Sequence, residues 1–115
     1  MEYRNLDALS HIIEYCDDVA SFISAVPDGI DSFCDNKGFR YSISMCILQI
    51  GELAGKLTDD FKAQYDGIPW KAIKGMRNVM AHGYGGISIE QTWVTASEDL
   101  PALRLYCVNI LERTG

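Results

Sequence analysis

Apolar residues recur at alternating steps of three and four positions along most of the chain, which is the period of an amphipathic helix. The first apolar stripe consists of Leu6, Leu9, Ile13, Cys16, Ala20 and Ile23. Asn5 is placed to cap its start, and the Val-Pro-Asp-Gly turn at residues 26–29 is placed to end it. We therefore predict a long first helix.

A second stripe follows, made of Phe39, Ile43, Cys46, Ile50, Leu53 and Leu57. The helix that carries it can begin as early as Ile30, with an interruption at residues 35–38 (Asp-Asn-Lys-Gly). Thr58 is placed to cap a short helical turn. Ile68 and Pro69 then open a third helix, because proline suits the first turn of a helix.

Glycines at positions 83, 85 and 86 are expected to end the third helix. Ser88 and Gln91 have the spacing of a capping box for the next helix. Its apolar stripe is Ile89, Trp93, Ala96, Leu100, Leu103, Cys107 and Ile110. Pro101 lies inside that stripe, which predicts a break or kink between Ser97 and Pro101.

No stretch of the sequence shows the strict alternation of a strand, so we predict an all-α fold. Apolar stripes joined by short loops favour an antiparallel, up-and-down bundle of four to five helices. The length of 115 residues predicts a single domain that covers residues 1–115.

Composition narrows the function classes. No apolar run approaches the roughly 18 residues that a membrane span needs, and the N-terminus does not resemble a signal peptide, so we expect a cytoplasmic protein with no membrane partner. The net charge is −6, from 10 basic and 16 acidic residues, which argues against a general nucleic-acid binder. The spacing of the four cysteines forms no CxxC pair, so we expect neither disulfides nor a metal site. Three of them, Cys16, Cys46 and Cys107, occupy apolar stripe positions and are expected to be buried.

Residues 67–89, which we call the acid-free segment, contain no Asp or Glu in a chain that has 16 of them. Lys71, Lys74 and Arg77 give this segment a charge of +3, which indicates a local anion-binding site. A chance gap between carboxylates is the alternative interpretation of the same pattern.

On a helix, the acid-free segment sorts into two faces. Ile73, Met76, Val79 and Met80 form the side expected to face the core, and Lys71, Lys74, Asn78 and His82 form the other. Arg77 lies at the margin between them. Histidine can exchange protons near neutral pH, and the arginine fork matches phosphate oxygens, so this set suits phosphodiester cleavage without a metal. An Arg-x4-His spacing alone occurs often by chance.

The residues around this spacing make it more specific. Residues 70–84 read WKAIKGMRNVMAHGY, and residues 48–54 read LQIGELA. Both segments resemble those of the HEPN superfamily, in particular its HepT-like branch, and the Asp-Leu-Pro at residues 99–101 also fits. The resemblance covers nearly the whole chain.

The resemblance implies the toxin of a toxin–antitoxin pair, a metal-independent endoribonuclease that needs no cofactor of its own. HepT-like proteins form homodimers whose Arg-x4-His helices line a shared cleft. By this likeness Arg77 and His82 are the catalytic pair and Asn78 supports them. The implied partner is a minimal nucleotidyltransferase antitoxin that uses ATP to attach AMP to the motif tyrosine, here Tyr84, and so blocks RNA cleavage.

Other residues receive weaker assignments. Lys71 and Lys74 are candidates for RNA contacts, and Glu52 is a candidate partner of Arg77 in a structural ion pair. Glycines on both sides of Tyr84 would let its hydroxyl reach a second enzyme, although a tyrosine packed at a helix end fits the same residues. The competing hypothesis for the whole chain is a non-catalytic helical module that binds and modulates a nucleotidyltransferase.

Overall fold

Helices account for nearly all of the backbone in the computed structural model, which describes residues 1–26, 28–81 and 89–114, with side chains for residues 1–26, 28–76 and 89–113. They are α1 (Tyr3–Ser24), α2 (Ile30–Asp35), α3 (Lys37–Lys56), α4 (Asp59–Gln64), α5 (Trp70–Ala81), α6 (Ile89–Val94), a π-helical turn (Thr95–Asp99) and α7 (Leu100–Thr114). No strand occurs in those residues. The prediction of an all-α fold is confirmed.

The long helices run antiparallel to their neighbours. Asn5, near the start of α1, contacts Thr58, just after the end of α3. Lys74, in the first half of α5, lies over Gly55 near the end of α3. α3 thus packs against both α1 and α5, and α1 also packs against α7. This arrangement confirms the antiparallel bundle that the stripes predict, with four long elements and the short helices α2 and α4.

Most positions of the predicted stripes of α3 and α7 are buried, but the buried face of α1 is offset by one position at two points. Ile12 and Val19 are buried, whereas the predicted Ile13 is half-buried and Ala20 is exposed. The most deeply buried large side chains include Leu9 and Ile12 of α1, Ile47 and Ile50 of α3, and Leu103 of α7. Each fully buried side chain of this size contributes roughly 1.5–3 kcal/mol by leaving water. The apolar period therefore accounts for the helices and, in α3 and α7, for the side that faces the core.

Two polar side chains cap the starts of helices at positions that the sequence predicts. The Asn36 side chain accepts a hydrogen bond of 3.0 Å from the Phe39 backbone N–H, which separates α2 from α3. The Thr58 hydroxyl accepts one of 3.2 Å from the Phe61 N–H and starts α4. Both are N-cap contacts that satisfy otherwise unpaired helix donors.

The prediction that Asn5 caps α1 is wrong. α1 begins at Tyr3, and Asn5 is a buried residue inside it. The Asn5 amide donates to the Thr58 hydroxyl at 3.1 Å, and its carbonyl oxygen accepts from the Thr58 N–H at 3.0 Å. A sequence pattern detects only partners that are close along the chain. Asn5 instead bonds to Thr58, which lies 53 positions away.

The predicted irregularity before Pro101 is confirmed in position and takes the form of a π-helical turn. The Leu100 N–H donates to the Thr95 carbonyl, five residues back. Proline has no N–H to continue an i−4 ladder, and a local π-turn lets the helix pass that position without breaking. The capping box at Ser88 and the glycines that should end α5 lie outside the described residues.

The cysteines behave as the sequence predicts. Cys16, Cys46 and Cys107 are buried free thiols, and Cys34 is exposed. Burial raises the pKa of Cys16 and Cys107 to about 12 and that of Cys46 to about 11. No helix in the described parts of the chain is long and apolar enough to cross a membrane.

Candidate functional site

The start of α5 is fixed by the turn that precedes it. The Pro69 carbonyl accepts from the Ile73 N–H at 3.1 Å, so proline occupies the helix entrance that the sequence predicts. The buried Trp70 indole donates to the Tyr65 carbonyl at 2.7 Å. Trp70 is therefore a core residue with its polar atom satisfied, and it holds the first turn of α5 in place.

A second anchor was not visible in the sequence. Tyr106 of α7 stands in no recognisable motif, yet its hydroxyl accepts a hydrogen bond of 3.0 Å from the Gly67 N–H. Its ring also packs edge-on against Trp70, with ring centroids 6.3 Å apart. A Cβ atom at Gly67 would lie 2.7 Å from this ring, so a larger residue there would displace the Tyr106 side chain.

The two lysines of α5 are both exposed. The methylene groups of Lys74 lie over Gly55, with Cε 3.5 Å from the position that a Cβ atom would occupy there. A lysine can pack its stem on an apolar surface while its ammonium group stays in water. The cationic face of α5, which carries Lys71 and Lys74, therefore borders α3 at Lys74.

The position of these cations does not favour helix stability. Lys71 is the second residue of α5, whose first turn contains no acidic residue, whereas α4 begins with Asp59 and Asp60. Because the N-terminal end of a helix carries partial positive charge, a lysine there costs roughly 0.3–1 kcal/mol. The N–H groups of Trp70, Ala72 and Ile73 already donate to the carbonyls of Ile68 and Pro69. Lys71 therefore gains no stability from its place at the start of α5.

Glu52 is half-buried on α3, one turn before Gly55. The antiparallel contact between Lys74 and Gly55 sets the register of α3 against α5. One turn back along α3 and one turn forward along α5 brings position 52 level with position 77. The backbone register is therefore compatible with the pairing predicted between Glu52 and Arg77.

The remaining predicted site residues are described less fully. Arg77 and Asn78 lie in the last turns of α5, and their side chains are outside the described set. His82 and Tyr84 lie outside the described residues altogether. The structure places Lys71 and Lys74 on α5 and Glu52 one turn from the Lys74–Gly55 contact on α3, and the roles of all the predicted site residues stay predictions.

The chain matches a known protein family over most of its length. The profile of the HepT-like ribonuclease family matches residues 12–110, a stretch that includes α3, α5 and the whole Arg-x4-His motif. The chain belongs to the HepT-like ribonuclease family. The resemblance noted in the sequence is thereby confirmed at the level of the family.

Several curated relatives match over most of their length. A protein of Methanocaldococcus jannaschii named "Putative RNase MJ1216" is 32% identical over 90% of this chain and 85% of its own length. A protein of Thermococcus cleftensis named "Probable ribonuclease HepT" is 29% identical over 79% of this chain and 87% of its own. No solved structure matches this chain.

Proposed function

We propose that this protein is a toxin of the HepT type, an endoribonuclease that cleaves RNA without a metal ion. Family membership over residues 12–110, with the complete Arg-x4-His-x-Tyr motif inside that match, is the observation that carries the proposal. The acid-free segment and the exposed Lys71 and Lys74 support it, because an RNA backbone needs a cationic surface.

In the proposed reaction the ribose 2′-hydroxyl attacks the adjacent phosphorus, and the bond to the 5′-oxygen of the next nucleotide breaks. His82 takes the proton from the 2′-hydroxyl or gives one to the leaving 5′-oxygen, and Arg77 stabilises the charge on the pentacoordinate phosphate. Asn78 orients the imidazole or the phosphate. The products are a 2′,3′-cyclic phosphate and a free 5′-hydroxyl, so neither water nor a cofactor is consumed.

The active form in this proposal is a homodimer. Two acid-free segments of charge +3 that face a single cleft give it a local charge of +6. A cleft of that charge attracts RNA although each chain has a net charge of −6, because binding depends on the local potential more than on the total.

Regulation in this proposal comes from a nucleotidyltransferase antitoxin. The Tyr84 hydroxyl attacks the α-phosphorus of ATP, an AMP group is attached to its oxygen, and pyrophosphate leaves. The attached AMP places a bulky anion beside the cationic cleft, where it repels RNA and occupies the phosphate site.

RNA cleavage in the presence of EDTA tests the proposed activity. We expect the purified protein to cleave RNA, and Arg77→Ala to lower the rate at least about a hundredfold. Arg113→Ala, at the end of α7, is the matched control and should keep the activity. No cleavage by the unmodified protein, together with harmless expression and co-purification with a nucleotidyltransferase, would instead favour the non-catalytic binding module.

Intact mass measurement tests the proposed regulation separately. Incubation with the nucleotidyltransferase encoded beside the gene and ATP should add whole AMP groups, which peptide mapping should place on Tyr84. Tyr84→Phe should stay unmodified and keep cleaving RNA in the presence of the partner. An unchanged mass with a partner that is active on other substrates would remove the switch from the proposal and leave the ribonuclease activity standing.

A further inference from the structure

Two cavities lie between α5 and the π-helical turn. Their volumes are about 360 and 420 Å³, within the range of roughly 300–1,000 Å³ that small-molecule sites occupy. Met76 of α5 and Thr95 and Asp99 of the π-turn line both of them, so the two cavities share a wall. α5 packs mainly against α3, and the cavities lie along another side of the same helix.

The lining of these cavities combines apolar surface with one carboxylate. Pro69 and Ala72 line the larger cavity from the α5 side, and Leu103 lines it from α7. Asp99 is the one charged residue that lines either cavity among the described residues. It is exposed, and no hydrogen bond or ion pair joins its carboxylate to another residue in the described part of the chain. Both of its oxygens are therefore available to a ligand that brings hydrogen-bond donors.

The π-helical turn sets the position of this carboxylate. Thr95 and Asp99 are the first and last residues of the turn, which is closed by the bond from the Leu100 N–H to the Thr95 carbonyl. The turn thus presents a hydroxyl and a carboxylate to the same two cavities. Turns of this kind inside α-helices occur frequently at functional sites.

The charge of the lining selects the chemistry of the occupant. A phosphate does not suit a cavity whose charged group is negative, and neither Lys71 nor Lys74 is among the residues that line the two cavities. A flat, uncharged ring with N–H donors on one edge does suit them. Its faces pack on Pro69 and on the thioether of Met76, which makes favourable contacts with aromatic rings, and its donors meet Asp99.

We propose that these cavities form a guanine subsite, in which the Asp99 carboxylate accepts hydrogen bonds from N1–H and from the exocyclic amine of the base. Guanine is the RNA base with two neighbouring donors on its Watson–Crick edge, the edge that proteins read in single strands. Lys71 directly precedes Ala72, so a phosphate on the cationic face and a base in the larger cavity can belong to one strand. The inference rests on the proposed ribonuclease function and adds a base preference to it.

Cleavage of matched RNA strands in EDTA tests this proposal. The strands contain one guanine in an otherwise adenine and uracil sequence, or inosine, which lacks the exocyclic amine, in its place. We expect the wild-type protein to cut at a fixed distance from the guanine, and inosine to lower the rate about tenfold, because one hydrogen bond to the carboxylate is lost.

A matched pair of variants locates the preference. Asp99→Ala should cut the guanine strand about tenfold more slowly than the wild type and should cut the guanine and inosine strands at equal rates. Glu98→Ala makes the same change of charge at an exposed neighbour that lines neither cavity, and should keep the preference for guanine.

Three outcomes would overturn the proposal. Equal cleavage of the guanine and inosine strands by the wild type would remove the guanine subsite and leave the ribonuclease function standing. A change of oligomeric state in Asp99→Ala, measured by light scattering, would mean that a cationic side chain of a second copy occupies the carboxylate instead. No cleavage of any strand by the wild type would contradict the proposed function itself, and the guanine subsite with it.

Discussion

Residues 1–35 and the acid-free segment have opposite charge but build the core in the same way. Residues 1–35 carry a net charge of −7, and residues 67–89 carry +3. Both nevertheless bury an apolar stripe against α3, with Leu9 and Ile12 in α1 and Trp70 and Ile73 in α5. The apolar stripes build the core in both segments, and the charged side chains lie mostly on the opposite, exposed faces.

In neither segment do the charges follow the dipole of the helix that carries them. Lys71 stands at the N-terminal end of α5, where it opposes the helix dipole, whereas α1 has no acidic residue in its first turn and carries Asp17 and Asp18 in its second half. The positive charge on α5 supports the proposed RNA binding, because a phosphate backbone needs a cationic surface.

The largest predicted effect concerns the buried thiols of α1 and α7. Burial raises the pKa of Cys16 and Cys107 to about 12, against an ordinary value of 9.0. The thiolate fraction near pH 8 then falls by about a thousandfold. Ellman's reagent should therefore modify only the exposed Cys34 quickly in the folded protein and all four thiols in urea. Cys34→Ser should abolish the fast phase. A second fast thiol would contradict the burial of Cys16, Cys46 and Cys107.

The next effect concerns how α5 is attached to α7. Gly67→Ala places a methyl group 2.7 Å from the Tyr106 ring, which is itself packed on Trp70. We expect a loss of about 1–3 kcal/mol in the free energy of unfolding in urea, since the ring must move. Tyr106→Phe removes only the hydrogen bond to Gly67 and should cost about 0.5–1.5 kcal/mol. A neutral Gly67→Ala would mean that this anchor does not hold α5.

A smaller effect is expected from the cationic face. Lys71→Gln should weaken RNA binding several-fold and reduce the slope of log affinity against log salt by about 1, because one phosphate contact is lost. Lys62→Gln, on α4, is the matched control with the same change of charge and should leave the slope unchanged. Identical slopes for both variants would indicate that RNA does not contact α5.

The smallest effect tests whether the outer face of α5 is free of packing. A Cβ atom at Gly75 would meet nothing within 4 Å. Gly75→Ala should therefore stabilise the protein by about 0.5–1 kcal/mol through helix propensity alone, measured as a shift of the urea midpoint. Destabilisation would point to an unseen neighbour on that face, such as a second subunit.

The sequence predicted the helices well, because each stripe of Leu, Ile and Cys follows the helical period and nearby residues such as Asn36 and Thr58 supply the caps. It failed where the partner is distant. Asn5 looks like a local cap and instead bonds to Thr58, and Tyr106 shows no motif although it anchors the entrance of α5. Pairing between helices is a property of the packed bundle, which periodicity does not encode.

More of the candidate site than of the packing between helices could be predicted from the sequence. The spacing of Arg77 and His82 and the absence of carboxylates around them are local features that a single sequence displays. The contact of Lys74 with Gly55, and the register that brings position 52 level with position 77, required the arrangement of α3 and α5.

Comparison of the chain's two histidines tests the central claim most directly. His11 is exposed on α1, with Nδ1 2.8 Å from the Asp7 carbonyl, and His82 follows α5. RNA cleavage in EDTA should fall at least about a hundredfold in His82→Ala and stay unchanged in His11→Ala. Equal cleavage by the two variants, with both folded by circular dichroism, would contradict a ribonuclease site at the end of α5.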